Sequence, residues 1–154
     1  MKILIDADAS PVKNIIIDVA KKYEIKVIIV SNFNHQIYSN YAQIITVDEG
    51  KDMADHEIIK QTDKGDLVVT QDYGLASLVL MKKADCLHQN GWFYTNDNID
   101  MLLMQRQISQ KIRRNKQKYS HTPKRTEKED LLFKENLEHY IKNRYQKWLF
   151  IAER

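Results

Sequence analysis

The sequence predicts an α/β fold: a three-layer domain around a central, mainly parallel sheet, with further helices at its C-terminal end. Two observations carry this. Through the first 95 residues, short apolar and largely β-branched runs alternate with helical patterns, and the connections between them are short. Runs that are apolar throughout belong to strands covered on both faces. Strands that alternate with helices pair in parallel, through right-handed crossovers.

Lys2–Ala7, with the core Ile3-Leu4-Ile5, reads as the first strand. A helix over 11–23 follows, with Ser10 as its cap, Pro11 at its first position, and Val12, Ile15, Ile16, Val19 and Ala20 on one face. Residues 26–31 form a second strand (Val27, Ile28, Ile29, Val30), and residues 43–47 a third. Residues 52–62 read as a helix with Asp52 at its N-cap, 66–70 as a fourth strand and 74–83 as a helix. A short strand is expected over 84–88, and a turn or small hairpin over 91–94.

The last third changes character. Residues 96–117 are helical in pattern, with Ile99, Leu102, Leu103, Ile108 and Ile112 as apolar positions. Residues 119–125 are polar and contain Pro123, which marks a break. Thr126 and Glu129 form a capping-box pattern that opens an amphipathic helix carrying Leu132, Phe133, Leu137, Tyr140, Ile141, Trp148 and Leu149. The organisation expected is an α/β domain over 1–117, a basic linker over 118–126, and a C-terminal helix over 127–154. That helix must bury its stripe on the domain or on a partner subunit, so a homo-oligomer is one arrangement the pattern allows.

Composition sets bounds. No apolar stretch in the 154 residues approaches the roughly 20 that a membrane span needs. Asp6 and Asp8 interrupt the N-terminus before any signal-peptide core could form. A single cysteine, Cys86, excludes an internal disulfide and fits a reducing compartment, so a cytoplasmic location is expected. The net charge of +3 hides an asymmetry. Residues 1–105 hold 10 Lys and 15 acidic residues, whereas residues 106–154 hold 14 basic and 6 acidic ones. Arg106, Lys111, Arg113, Arg114, Lys116, Lys118, Lys124 and Arg125 occur with no acidic residue between them. Such a stretch is a candidate surface for RNA or another nucleic acid; its other reading is a solvated helix and loop.

The acidic residues carry the sharper signal. Asp6 and Asp8 follow the first strand, Asp52 and Asp55 open the helix after the third, and Asp72 follows the fourth. Parallel strands all end at one edge of the sheet, where ligands bind in open α/β folds. These groups can therefore converge despite their separation in sequence. Oxygen donors alone select Mg²⁺ or Mn²⁺ over zinc. Such an ion activates water and stabilises charge on a phosphodiester. Each carboxylate also has a structural reading: Asp52, Asp55 and Asp72 could serve helix N-termini, and Asp66 could be a turn residue after Gly65. Ser10 and Thr70 are small hydroxyls beside the expected site, with capping and strand packing as their alternatives. Tyr73 and Asn32 could line the same edge. His56 neighbours Asp55 and could assist there, but a surface helix position is the simpler reading. Cys86 reads as core, and Tyr119 or His121 could stack on a base.

Asp6-Ala7-Asp8-Ala9-Ser10-Pro11, Gly50-Lys51-Asp52-Met53-Ala54-Asp55, Gly65-Asp66-Leu67-Val68-Val69-Thr70-Gln71-Asp72 and Asn90-Gly91 with the Tyr94–Ile99 segment resemble the YaiI/YqxD family of bacterial proteins, in order and spacing, over nearly the whole chain. That family usually has Cys where this chain has Ser10, so no catalytic thiol is expected at that position. It often has Pro where Gly74 stands, a difference that touches the turn rather than the chemistry. The family is similar in turn to PIN-like nuclease domains, which gather acidic residues at the C-terminal edge of a parallel sheet to bind Mg²⁺ or Mn²⁺ and cleave RNA. The resemblance implies that Asp6, Asp8, Asp55 and Asp72 hold the metal and carry catalysis. Asp52, Asp66, Ser10 and Thr70 would then support them.

Three functions follow as expectations. The first is a metal-dependent ribonuclease-like phosphodiesterase. The second is a non-catalytic nucleic-acid or protein-binding module on the same fold. The third is a haloacid-dehalogenase-type phosphatase, with Asp6 as nucleophile and Thr70 as its hydroxyl partner. Ser10-Pro11 leaves that third option no room for the flap such enzymes insert, and the expected Lys and late acidic pair are missing from their places.

Overall fold

A computed structural model describes residues 1–7, 10–32, 37–50, 52–116 and 124–152, with 113–116 and 148–152 described as backbone only. Six strands form one sheet: β1 (Lys2–Asp6), β2 (Lys26–Asn32), β3 (Gln43–Val47), β4 (Leu67–Val69), β5 (Asp85–Leu87) and β6 (Phe93–Tyr94). Their order across the sheet is β3-β2-β1-β4-β5-β6. All neighbouring pairs are parallel except β5 with β6. The helices are α1 (Lys13–Lys22), α2 (Met53–Gln61), α3 (Tyr73–Met81), α4 (Asn96–Lys116) and α5 (Glu127–Ala152).

The apolar runs explain the layers. Ile3, Leu4 and Ile5 of the central strand are all completely buried, which requires cover on both faces of the sheet. Ile3 and Ile5 share one cluster with Val27, Ile29, Leu67 and Val69, closed by Val12, Ile16 and Val19 near and within α1 and by Phe133, Leu137 and Ile141 of α5. Leu4 points to the other face with Ile28, Val30, Val68 and Cys86. Ile58 of α2, Leu75, Ala76 and Val79 of α3 and Ile99 of α4 close that side. The three-layer α/β architecture is the one the alternating pattern predicts.

Helix starts depart from expectation in two places. Helix α1 begins at Lys13, with Val12 at its N-cap and no side-chain cap. Ser10 therefore does not cap it: the chain turns first, with Ser10 N donating to Ala7 O, and the completely buried Val12 sets the approach to the sheet. Asp52 occupies the N-cap of α2, as predicted, but its side chain makes no capping bond and its φ is +68°. Helix α5 does use Glu129, whose Oε2 accepts from Thr126 N at 3.3 Å. Helix α4 opens on a reciprocal pair that no Ser/Thr-x-x-Glu pattern signals: Asn98 Oδ1 accepts from Thr95 N at 2.8 Å, and Thr95 Oγ1 from Asn98 N at 3.1 Å.

The segment between β5 and β6 is a tight turn in which His88 N donates to Trp92 O and Gly91 N to His88 O, both at 2.9 Å. Gly91 has φ +91°, and a Cβ there would lie 3.3 Å from Phe133 Cα. Glycine is needed for both the left-handed backbone and the close approach of α5. Asn136 of α5 fastens the same turn by donating to Gly91 O at 2.7 Å. Among the described residues, no helix is long and apolar enough to cross a membrane.

Candidate functional site

The sheet order makes the space beside β1 a topological switch point. From β1 the chain winds outward through β2 and β3, then returns to place β4 on the other side. Ligand crevices form at the carboxyl ends of strands at such points. A cavity of about 260 Å³ opens there, lined by Asp6, Asn32, Asp48, Gly50, Asp52, Ala54, Asp55 and Asp72. Asp6 ends β1, Asn32 ends β2 and Asp48 directly follows β3; Asp52 and Asp55 come from the start of α2, and Asp72 from the loop after β4.

Hydrogen bonds order part of this wall. Thr70 Oγ1 donates to Asp6 Oδ2 at 3.1 Å and accepts from Asp72 N at 3.0 Å, so one hydroxyl ties the two strand ends together. Asp72 Oδ1 accepts from Gly74 N at 2.8 Å and from Leu75 N at 3.2 Å, capping α3. Its structural reading is thus real, but the carboxylate also borders the cavity. Arg106 Nη1, from α4, lies 3.4 Å from the same Asp72 oxygen. Behind them, Tyr94 donates its hydroxyl to Thr70 O at 3.2 Å. Burial pushes that phenol up, so Tyr94 acts as a donor and not as an acid.

The electrostatics of the cavity are carried by Asp55. Burial, followed by the negative charges of Asp72, Asp6 and Asp52, raises its carboxyl from 3.8 to about 6, and His56 only partly opposes this. Asp52 adds a conformational signature, since its left-handed backbone is one that non-glycine residues adopt at a cost of about 1 kcal/mol.

Three expected site residues are placed elsewhere. Asp66 precedes β4 and so lies at the opposite edge of the sheet, where it accepts from Lys2 Nζ at 2.5 Å, Lys2 N at 3.0 Å and Asp63 N at 2.8 Å. It anchors the start of β1 rather than supporting the acidic cavity. Ser10 is not among the residues lining the cavity, and its hydroxyl is buried without a partner. Arg125 is spent on structure: it bonds Asp130 at 2.6 Å, Gln89 O at 2.7 Å and Asn90 Oδ1 at 3.0 Å, a clamp between α5 and the turn before β6. Burial also pushes the Cys86 thiol up, in keeping with its expected core role.

Asp8, Lys118, Tyr119 and His121 lie outside the described residues. Lys111 and Lys124 are exposed, and Arg113, Arg114 and Lys116 fall in the last turns of α4. Asp48 was missed, although the strand-end rule that selected Asp6 applies equally to it. Among the described residues, no three carboxylate, imidazole or thiol groups sit close enough to hold one metal ion between them.

Comparison with known proteins agrees with the motifs at this edge. Residues 4–143 match the model described as "Uncharacterized BCR, YaiI/YqxD family". The chain belongs to the YaiI/YqxD family. Its similar relatives include a UPF0178 protein of Alkaliphilus oremlandii, 55% identical over 141 residues, which cover 92% of this chain and 91% of that one. A UPF0178 protein of Natranaerobius thermophilus is 52% identical, covering 92% and 96%. One from Bacillus anthracis is 51% identical over 119 residues, covering 74% and 80%. No solved structure matches the chain. The family description assigns no reaction.

Proposed function

We propose that this YaiI/YqxD protein is a divalent-metal-dependent phosphodiesterase, ribonuclease-like, with Mg²⁺ or Mn²⁺ as cofactor and RNA or another nucleic acid as substrate. The observation that carries the reading is the raised carboxyl of Asp55 in a cavity walled by Asp6, Asp48, Asp52 and Asp72. Carboxylates that burden one another in this way gain from a bound cation, and their donors are all oxygen, which fits a hard ion. Among the described residues no three such groups come close enough to share an ion, so a bound Mg²⁺ would rest on one or two carboxylates, its own waters and substrate phosphate. The resemblance to PIN-like nuclease domains suggested by the sequence motifs is in keeping with this reading.

Asp6 and Asp72, whose strand ends Thr70 ties together, would hold the ion, with Asp55 facing it across the cavity and Asp8 as the further ligand that the resemblance implies. When bound, the ion supplies Lewis acidity toward a phosphodiester and a more acidic water. The remaining work falls to side chains. With a cation beside it Asp55 would give up the proton that its burial and acidic neighbours favour, and would then offer a carboxylate oxygen as a hydrogen-bond acceptor in the cavity. Arg106, half exposed beside Asp72, offers a cation to a phosphate oxygen, and Lys111 extends positive charge along α4.

The test is cleavage of mixed-sequence RNA with Mn²⁺, comparing wild type with Asp6→Asn/Asp72→Asn. Activity confined to the wild type supports the proposal, and equal activity in the double variant contradicts it. That no three carboxylates converge among the described residues favours a second reading, a nucleic-acid or protein-binding module without catalysis. That module would bind RNA equally well with EDTA present and cleave nothing.

A further inference from the structure

Helix α4 is apolar on two sides. Ile99, with Leu102 and Leu103, packs on the sheet. Roughly opposite, at the 3-4-4 spacing of a single stripe, Met101, Met104, Ile108 and Ile112 are 57%, 64%, 52% and 52% exposed. From residue 104 to 112 every described position is exposed, so this half of the helix projects from the domain. Solvent-facing helices do not ordinarily carry four large apolar residues in line, and such a stripe marks an interaction surface.

The charge along α4 selects the occupant. Its first turns carry Asp97 and Asp100, and its last carry Lys111, Arg113, Arg114 and Lys116. We infer that a second copy of this chain docks on the outward stripe of α4, the two helices antiparallel about a two-fold axis near residue 106. A parallel pair would set like charges together at both ends. The antiparallel pair sets the acidic start of each helix beside the basic end of the other, and opposes the two helix dipoles. One register satisfies both apolar and charged positions: Met104 meets Ile108 of the partner subunit, Met101 packs near Ile112 of the partner subunit, and Asp100 falls near Lys111 of the partner subunit. A two-fold contact of this kind is self-complementary and closes. It leaves the acidic cavity open, because Arg106 faces Asp72 from the other side of the same helix. The inference is therefore independent of any metal or activity.

Sedimentation equilibrium tests it, together with disulfide trapping. The wild-type mass should rise with concentration from 18.2 kDa toward twice that value. Ile108→Glu should weaken association at least about tenfold, as expected for an anchor residue at the centre of an interface. Asp100→Lys should weaken it too, and adding Lys111→Glu should restore it. Both 104 and 108 are exposed positions, so circular dichroism should match wild type. Cys86 is buried, so an introduced cysteine is the accessible thiol among the described residues. A mixture of Met104→Cys and Ile108→Cys proteins should cross-link better than either alone. A monomer at about 1 mM, unchanged association in Ile108→Glu, or preferential cross-linking of Ile108→Cys to itself would each overturn the inference.

Discussion

Arg106 reaches from the middle of α4 to within 3.4 Å of Asp72 at the start of α3, joining the basic third of the chain to the acidic cavity. Both side chains are substantially exposed, at 48% and 36%, so the pair is worth little to folding. Arg106→Ala should change stability by less than about 0.5 kcal/mol in urea unfolding. If Arg106 contacts phosphate, the same variant should bind RNA more weakly, with a shallower salt dependence. Unchanged affinity would remove Arg106 from the binding surface.

Asp55 makes stability depend on pH in a stated direction. Its folded carboxyl titrates near 6 against 3.8 for an unperturbed one, so the folded state holds the proton more tightly than the unfolded state does. The contribution is fully present below pH 3.8 and lost as pH rises through 6. Replacing the group by a neutral amide should therefore stabilise the protein above pH 6, by roughly 1 kcal/mol after allowing for solvent screening, and have little effect near pH 3.5. Thermal melts of Asp55→Asn and wild type at the two pH values check this.

Asp66 should behave as a structural residue. It is 4% exposed and accepts from Lys2 Nζ, Lys2 N and Asp63 N. Asp66→Ala would strand three donors, so a loss of about 2–4 kcal/mol is expected in chemical denaturation. Metal affinity of the folded fraction should be unchanged, since the residue sits at the far edge of the sheet.

Phe133 reports on how α5 is held. It is completely buried, close to the turn at Gly91. Phe133→Ala should cost about 3–5 kcal/mol in the same measurement. A loss below about 1 kcal/mol would mean that α5 contributes little to the core.

Much of this architecture could be read without coordinates, and the failures have physical causes. Continuous β-branched runs identified β1 and β2 because only strands buried on both faces tolerate them. The rule that parallel strands end at one edge brought Asp6, Asp55 and Asp72 together, and Asp48 escaped only because it was not applied to β3. Asp66 was misplaced by its nearness in sequence to Asp72, yet three residues of strand carry them to opposite edges. Arg125 looked like part of a basic patch because its partners, Asp130 and the carbonyl of Gln89, become neighbours only when α5 docks. Ser10-Pro11 resembled a helix start, and burial of Val12 moved that start to Lys13.

The central claim, that the cavity beside β1 and β4 binds a divalent cation, is tested most directly by calorimetric titration of Mn²⁺ into wild type and Asp6→Asn/Asp72→Asn. The account predicts saturable binding to the wild type below millimolar concentration, with proton release at pH 6 from Asp55, and loss of both in the double variant. Absence of binding to the wild type at millimolar Mn²⁺, or equal binding to both proteins, would contradict it.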